Sequence, residues 1–378
     1  MLEKPHILIV DDNVDEHSAI KLLIEERDTG EVKILHPRDV TEDDLKDAHL
    51  VLVDYHIDEW IERDDLDEIS LQPVDGLALS FLLRRRIHNT DFPPTAFALY
   101  TGKLEKLASP LPPEYREHAL ASINNLEWVF QKASSTSQSR TAEQVIELAH
   151  SVLELPREWG IDEENRPMRN LCDLLGINYD NPKDAVLIEE IESCLPPIHE
   201  LSEWSHGIAV LRWILHKILP FPCFLLDKHR LAARFRLDYK QLETVLQPDT
   251  PLMRAIEDCS YQGILKNFLG VRWWRTKIES FLWDITKGES SNIRTVQDAI
   301  RDIAEINLTA SSPSDYPIVC VNTNYQPLDD FYSIDECVRI RPDDYPAYAD
   351  QAWTTIELAK GDMKFRSLII QEDLHLIK

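Results

Sequence analysis

Five short, densely apolar runs separated by helical patterns constrain this chain more than any other feature. They are His6 to Val10 (HILIV), Val32 to Leu35 (VKIL), Leu50 to Val53 (LVLV), Ala96 to Tyr100 (AFALY) and Trp128 to Phe130 (WVF). Runs without polar alternation suit strands covered on both faces, as in a parallel sheet. Between them, His17 to Glu26, Thr41 to Ala48, Gly76 to Ile87 and Glu114 to Ile123 carry helical spacing. That alternation predicts an α/β, doubly wound domain built on a five-stranded parallel sheet. The Ser/Thr-rich stretch from Ala133 to Thr141 has the composition of a loop. After it, Val145, Ile146, Leu148, Ala149, Val152, Leu153 and Leu155 form one apolar stripe that can cover the last strand. The first domain is therefore expected to span residues 1–157.

At 378 residues, 43% of them apolar, the chain has enough material for more than one core. Residues 158–310 read as mainly helical, with breaks at Asp180, Pro196, Pro197, Pro220, Pro222 and Pro248. A small α/β part is expected over 311–378. Its strands would be Ile318 to Val321 and Ser367 to Gln371, with a helix from Ala347 to Leu358 between them.

The formal charge of −27 opposes nonspecific attraction to nucleic acid or anionic membrane, although a local basic face can override it. The six cysteines are dispersed and form no C-x-x-C pair, which fits neither a disulfide framework nor a zinc site. The N-terminal apolar run breaks at once into Asp11 and Asp12, unlike a secretory signal. The hydrophobic stretch from Ile208 to Leu226 is interrupted by Arg212, His216, Lys217, Pro220 and Pro222. It cannot span a bilayer cheaply, and a cytoplasmic protein without membrane partners is expected. The chain has ten glycines and no glycine-rich phosphate loop, which excludes P-loop nucleotide hydrolysis.

Open parallel sheets place ligands at strand C-termini, and the polar residues here sit at those points. Asp11 and Asp12 end the first strand, Asp54 the third and Thr101 the fourth, and Lys132 follows the fifth. Three carboxylates can hold one Mg²⁺, a hard cation that takes oxygen ligands. A hydroxyl and an ammonium can then meet phosphoryl oxygens.

In these five positions the chain resembles the receiver domains of response regulators, which have a flavodoxin-like fold. The resemblance implies that Asp11, Asp12 and Asp54, with the His56 backbone carbonyl, bind Mg²⁺. It implies that Asp54 accepts a phosphoryl group as an acyl phosphate, that Thr101 reads its arrival and that Lys132 neutralises it. The donor would be a histidine kinase or a phosphotransfer protein, and the chain a two-component phosphoacceptor, not an enzyme with a reaction of its own. His56 and Lys103 occupy positions that tune dephosphorylation in the family.

The chain departs from the family pattern at several places. An insertion separates Asp54 from the Asp75-Gly76 turn, and between Asp58 and Glu68 it carries seven acids against Arg63. This is a solvated loop, or a cover over the site that repels incoming phosphate or attracts the metal. Ala133 stands where the family has proline, and the segment containing Pro110, Pro112 and Pro113 is long. Val129 replaces the usual switch aromatic, with Trp128 and Phe130 beside it.

Residues 158–378 match no output domain by inspection, and a helical module contacting a protein partner is the expected output. The alternatives are a phosphate sink without an output of its own and a DNA-binding regulator. The latter would act through Asp227 to Gln247, a helix-turn-helix-like segment with five Lys or Arg against two Asp up to Lys240. Arg236 occupies its turn, where glycine is favoured. Trp273 and Trp274 are either an exposed aromatic anchor flanked by Arg272 and Arg275 or, the favoured reading, core residues on one amphipathic helix with Ile278, Phe281 and Leu282. His199 and His206 lack a third metal ligand, and Cys320 and Cys337 lack a histidine to activate them.

Overall fold

A computed structural model describes residues 3–27, 29–57, 60, 73–88, 92–109, 111, 116–132, 138–160, 163, 165–201, 207–305, 316–342 and 345–377. The acidic segment from Asp58 to Glu68 (Trp60 excepted), Pro110, Pro112, Pro113, Ala133 and His206 lie outside these residues.

The first part runs β1 (His6–Val10), α1 (Ser18–Glu26), β2 (Glu31–Leu35), α2 (Glu42–Asp47), β3 (Leu50–Asp54), α3 (Gly76–His88), β4 (Ala96–Thr101), α4 (Leu104–Leu107), α5 (Arg116–Ile123), β5 (Trp128–Gln131) and α6 (Gln138–Leu153). Its five strands are all parallel, in the order β2-β1-β3-β4-β5. Alternate residues divide between two cores. Ile7, Ile9, Leu50, Leu52, Tyr100, Trp128 and Phe130 face α1 and α6, whereas Leu8, Val10, Val51, Val53, Leu99 and Val129 face α2, α3 and α5. Burial on both faces is why the strands carry no polar alternation. The polar signals are local: Thr41 and Asp44 form a capping box at the start of α2.

The next part contains α7 (Arg166–Leu175), α8 (Ala185–Ser193), α9 (Ile208–Trp213, continuing as a π-helical stretch Ile214–Ile218), β6 (Leu225–Leu226), α10 (Lys228–Phe235), α11 (Tyr239–Val245), α12 (Pro251–Ala255), β7 (Trp273–Trp274), α13 (Arg275–Ile285) and α14 (Ile293–Ala304). The core on the α1/α6 side of the first sheet continues without a break into this region, through Leu171, Leu211, Phe224 and Trp274. Helix α6 lies at the seam. One side packs on the sheet and the other is tied to the loop before β7. There Gln144 donates to the Phe268 carbonyl (2.9 Å), and Ser151 Oγ accepts from the Leu265 amide (3.1 Å). Trp273 and Trp274 are both buried, as expected. They lie on a strand paired with Leu225–Leu226, not on the expected helix, because α13 begins only at Arg275.

The last part comprises β8 (Ile318–Val321), β9 (Pro327–Tyr332), β10 (Cys337–Ile340), β11 (Ala352–Thr355), α15 (Ile356–Gly361) and α16 (Met363–Leu368). Its sheet has the order β10-β11-β8-β9. Two expectations fail here. The Ala347 to Leu358 segment forms β11 before turning helical, since Trp353, Thr354 and Thr355 favour a pleated strand and Thr355 then caps α15. Ser367 to Gln371 ends α16 and contributes only a single bridge, Ile369 to Ile340. Among the described residues no helix is long and apolar enough to cross a membrane.

Candidate phosphoacceptor site

Strands β1 and β3 are neighbours at the point where the sheet order reverses, the crevice in which doubly wound folds bind ligands. Asp11 and Asp12 follow β1, and Asp54 is the last residue of β3, in register with Tyr100 of β4. One carboxylate oxygen from each of Asp11, Asp12 and Asp54 lies within 4.8 Å of the others. Asp11 and Asp54 are buried, and Asp12 is half-buried. The Lys132 amide donates to the Thr101 carbonyl (2.8 Å), which fixes the residue where β5 ends. Its Nζ then lies 3.1 Å from Asp11 Oδ2 and 3.1 Å from Asp54 Oδ1. Thr101 is buried, and its hydroxyl accepts from the Lys103 amide (3.1 Å). The hydroxyl proton therefore remains available to a further acceptor. The sheet thus brings four of the five landmark residues into one carboxylate-ammonium cluster and fastens Thr101 to it through the backbone. The imidazole of His56 packs edge-on against Tyr55, with ring centroids 5.0 Å apart, outside the carboxylate cluster.

Sequence reading missed one participant. His17, at the start of α1, is buried, and its Nε2 is bonded to Asp11 Oδ2. Its only signal was a histidine one turn beyond the Asp-Asp pair. The Asn13 amide also donates to Asp11 Oδ1 (2.7 Å).

These partners set the two buried carboxylates apart. Burial pushes the Asp11 carboxyl up, but the His17 hydrogen bond, the Asn13 amide and Lys132 outweigh it and hold the group down at about 2. Burial pushes Asp54 up to about 6, with Lys132 opposing and the Asp11 charge reinforcing the rise. Lys132 is raised above the ordinary lysine value: burial works against its charge, but Asp54 and Asp11 prevail. Asp54 is thus the carboxylate with the most to gain from an added positive charge.

A carboxyl whose folded pKa lies above its unfolded value adds stability at pH below the unfolded value of 3.8 and loses it as pH rises through about 6. At pH 7, without divalent cations, Asp54 is therefore a stability cost. Asp54→Asn is expected to raise stability in EDTA-containing buffer by roughly 1–3 kcal/mol, read as a higher Tm. A lower Tm under those conditions would contradict this account of the site.

The segment Asp227 to Gln247 folds as two helices, α10 and α11, with Arg236 in the left-handed conformation (φ 58°) at the turn. Its basic residues are largely paired with acids of the same chain. Lys228 pairs with Glu243, Arg230 with Asp227, Arg234 with Glu279 and Lys240 with Asp329. Strand β9, which carries Asp329, packs against both helices. Four of the five cations counted in the sequence are thus partnered by acids, and the positive field that attracts phosphate is correspondingly reduced. In the last sheet, Cys320 and Cys337 bring their sulfurs to 3.3 Å, both buried. The Cys337 contact and burial raise the Cys320 pKa, the reverse of what a nucleophilic thiol needs.

Sheet order and cluster geometry together give the N-terminal part a doubly wound, flavodoxin-like α/β fold with three carboxylates gathered at its switch point. No family model matches the chain, and no curated protein matches it. Among solved structures it is similar to the RcsB response regulator of Salmonella typhimurium, in a structure concerned with conformational dynamism for DNA interaction. That similarity has 12% identity and a TM-score of 0.24, covering 50% of this chain and 69% of that one. A second is RcsB from Salmonella enterica serovar Typhimurium bound to promoter rprA in the presence of phosphomimetic BeF3⁻, at 14% identity, 55% and 98% coverage and a TM-score of 0.23. Overlaps of that size carry no functional argument.

Proposed function

We propose that this chain is a response-regulator-like signalling protein that accepts a phosphoryl group on Asp54 and reports it to its helical region. The observation that carries the reading is the set of three clustered carboxylates with Lys132 3.1 Å from two of them, at the switch point of the sheet. The all-oxygen donor set of Asp11, Asp12 and Asp54 fits a hard divalent cation such as Mg²⁺. When bound, that ion supplies charge neutralisation to phosphoryl oxygens. In the transfer, an Asp54 carboxylate oxygen forms the new bond to phosphorus as the bond to the donor's phosphorylated histidine breaks. Lys132 neutralises the added charge, and the Thr101 hydroxyl proton turns to a phosphoryl oxygen. The donor is a histidine kinase or a phosphotransfer protein.

The strand that delivers Lys132 is also a contact strand. Trp128 packs edge-on against Phe268 (centroids 4.9 Å) and lies parallel to His216 (6.2 Å), while Phe130 meets Phe268 at 6.3 Å. On α5, His118 Nε2 bonds the His216 carbonyl (3.1 Å). A shift of Lys132 toward a phosphoryl group therefore reaches the helical region through β5 and α5. That region then contacts a protein partner. The engaged cations of Asp227 to Gln247 favour this output over duplex DNA.

Loading with acetyl phosphate and Mg²⁺, followed by hydrogen exchange, tests the relay. Exchange rates within 96–132 and within the Ile208–Ile218 stretch are expected to change together, and EDTA to abolish both changes. A change confined to 96–132 would favour a phosphate sink without its own output.

A further inference from the structure

A cavity of about 1070 Å³ opens where three parts of the chain meet. Its walls come from α5, β5 and α6, from the loops flanking β6 and β7, and from the C-terminal sheet. The proposed phosphotransfer does not use it. Its charge is opposite to that of the protein as a whole. Arg140, Lys217, Lys228, Arg230 and Arg272 line it against the two acids Glu117 and Asp227, in a chain of net charge −27. Lys228 is satisfied by Glu243 at 3.5 Å, but other cations are not matched one to one. Asp227 bonds Arg230 and is also the acid whose charge acts on Arg272, so two guanidiniums share one carboxylate. Arg272 is pinned instead by backbone carbonyls, those of Gly270 (3.2 Å), Val271 (3.2 Å) and Leu219 (3.4 Å). Among the described residues neither Lys217 nor Arg272 has a carboxylate within salt-bridge reach. Burial lowers the pKa of Arg272, as expected for a cation held without a full counter-charge.

The remaining wall is aromatic. Phe221, Tyr345, Trp353 and Tyr325 line it, with Phe221 and Tyr345 edge to face at 5.2 Å. Flat ring surface beside unmatched cations suits a ligand with a planar heterocycle and an anionic group. Such rings stack on aromatic side chains whatever their substitution, and guanidinium and ammonium groups meet phosphate oxygens. Glu117 adds an acidic group to the cavity lining. Small-molecule sites have this composition and lie preferentially between domains.

We infer that this cavity is a nucleotide-binding site, with Lys217 and Arg272 holding the phosphate and the aromatic wall holding the base. Gln131, which lines it, is the residue before Lys132. A bound nucleotide would therefore touch the strand that carries the phosphoryl-sensing lysine, and the two sites would be coupled reciprocally.

Isothermal titration of the full chain with AMP, GMP and ATP, with adenosine and inorganic phosphate as fragments, tests the site. At least one nucleotide is expected to bind with one-site stoichiometry, at least tenfold more tightly than either fragment. Lys217→Met and Arg272→Met should each weaken it tenfold or more. Arg272 also braces a loop, so Lys217→Met, checked for an unchanged circular dichroism spectrum, is the decisive variant. Asp54→Asn should retain binding, so failure of phosphotransfer and failure of this site are read separately. Absence of binding by all three nucleotides, equal binding of phosphate alone, or affinity indifferent to Lys217→Met overturns the inference.

Discussion

Glu127→Ala is expected to destabilise the protein by about 3–5 kcal/mol, the range for removing one member of a buried ionic cluster. Glu127 lies just before β5 and is completely buried. One oxygen accepts from Arg212 Nε at 2.6 Å. The other accepts from Arg84 Nη2 at 2.9 Å and from the Phe97 amide. Arg84 belongs to α3, on the N-terminal α/β side, and Arg212 to α9, on the helical side. The carboxylate therefore joins the two regions, and its loss strands Arg84, itself buried over the Phe97 ring, without a counter-charge. Burial alone would raise the Glu127 pKa, but Arg84, Arg212 and the Phe97 amide hold it below the ordinary glutamate value. A depressed folded pKa confers stability that is present above the unfolded value and lost as pH falls through the folded one. Urea unfolding from neutral to acid pH should therefore show a large deficit in the variant at pH 7 that narrows toward low pH. A midpoint within experimental error of wild type at pH 7 would show that the cluster contributes nothing.

Gly76→Ala should be nearly as damaging and should also impair the site. Gly76 opens α3, and its amide donates to the Tyr55 carbonyl at 2.9 Å. A Cβ built on it would lie 1.7 Å from the Asp54 carbonyl oxygen, a backbone atom that cannot rotate away. The methyl group can be admitted only by moving the end of β3, which displaces Asp54 from Asp11 and Lys132. Overpacking of this kind costs about 1–3 kcal/mol, occasionally more, and a backbone clash belongs at the upper end. Thermal unfolding and acetyl phosphate labelling should decline together. Full labelling in a protein of unchanged Tm would mean that the close approach is not a constraint.

Most of the N-terminal α/β fold was legible because its determinants are local. Dense apolar runs show which strands are buried on both faces, and Asp11, Asp12, Asp54, Thr101 and Lys132 sit at strand ends where a parallel sheet must gather them. His17 was hidden because nothing in its neighbours announces a bond to Asp11. The seam between regions was hidden for a related reason. Gln144, Glu147 and Ser151 are polar and lie outside the apolar stripe of α6, yet they bond to the chain at Phe268, Asn267 and Leu265. A polar residue facing water and one facing another backbone look alike in sequence. Trp128 and Phe130, read as neighbours of a missing switch aromatic, face the helical region, and Val129 faces the opposite core. The error at Ala347 to Leu358 arose because helix follows strand without a break, Thr355 both ending β11 and capping α15, and length alone could not place the boundary. The basic rhythm of Asp227 to Gln247 was read correctly as two helices, but two of the four acids that pair with it, Glu279 on α13 and Asp329 on β9, lie outside the segment.

The central claim, that Asp54 is the phosphoacceptor, is tested most directly by intact mass spectrometry of wild type and Asp54→Ala after incubation with Mg²⁺ and acetyl phosphate. The account predicts one added phosphoryl group on the wild type and none on the variant. No addition to the wild type, or an addition that survives the substitution, would contradict it.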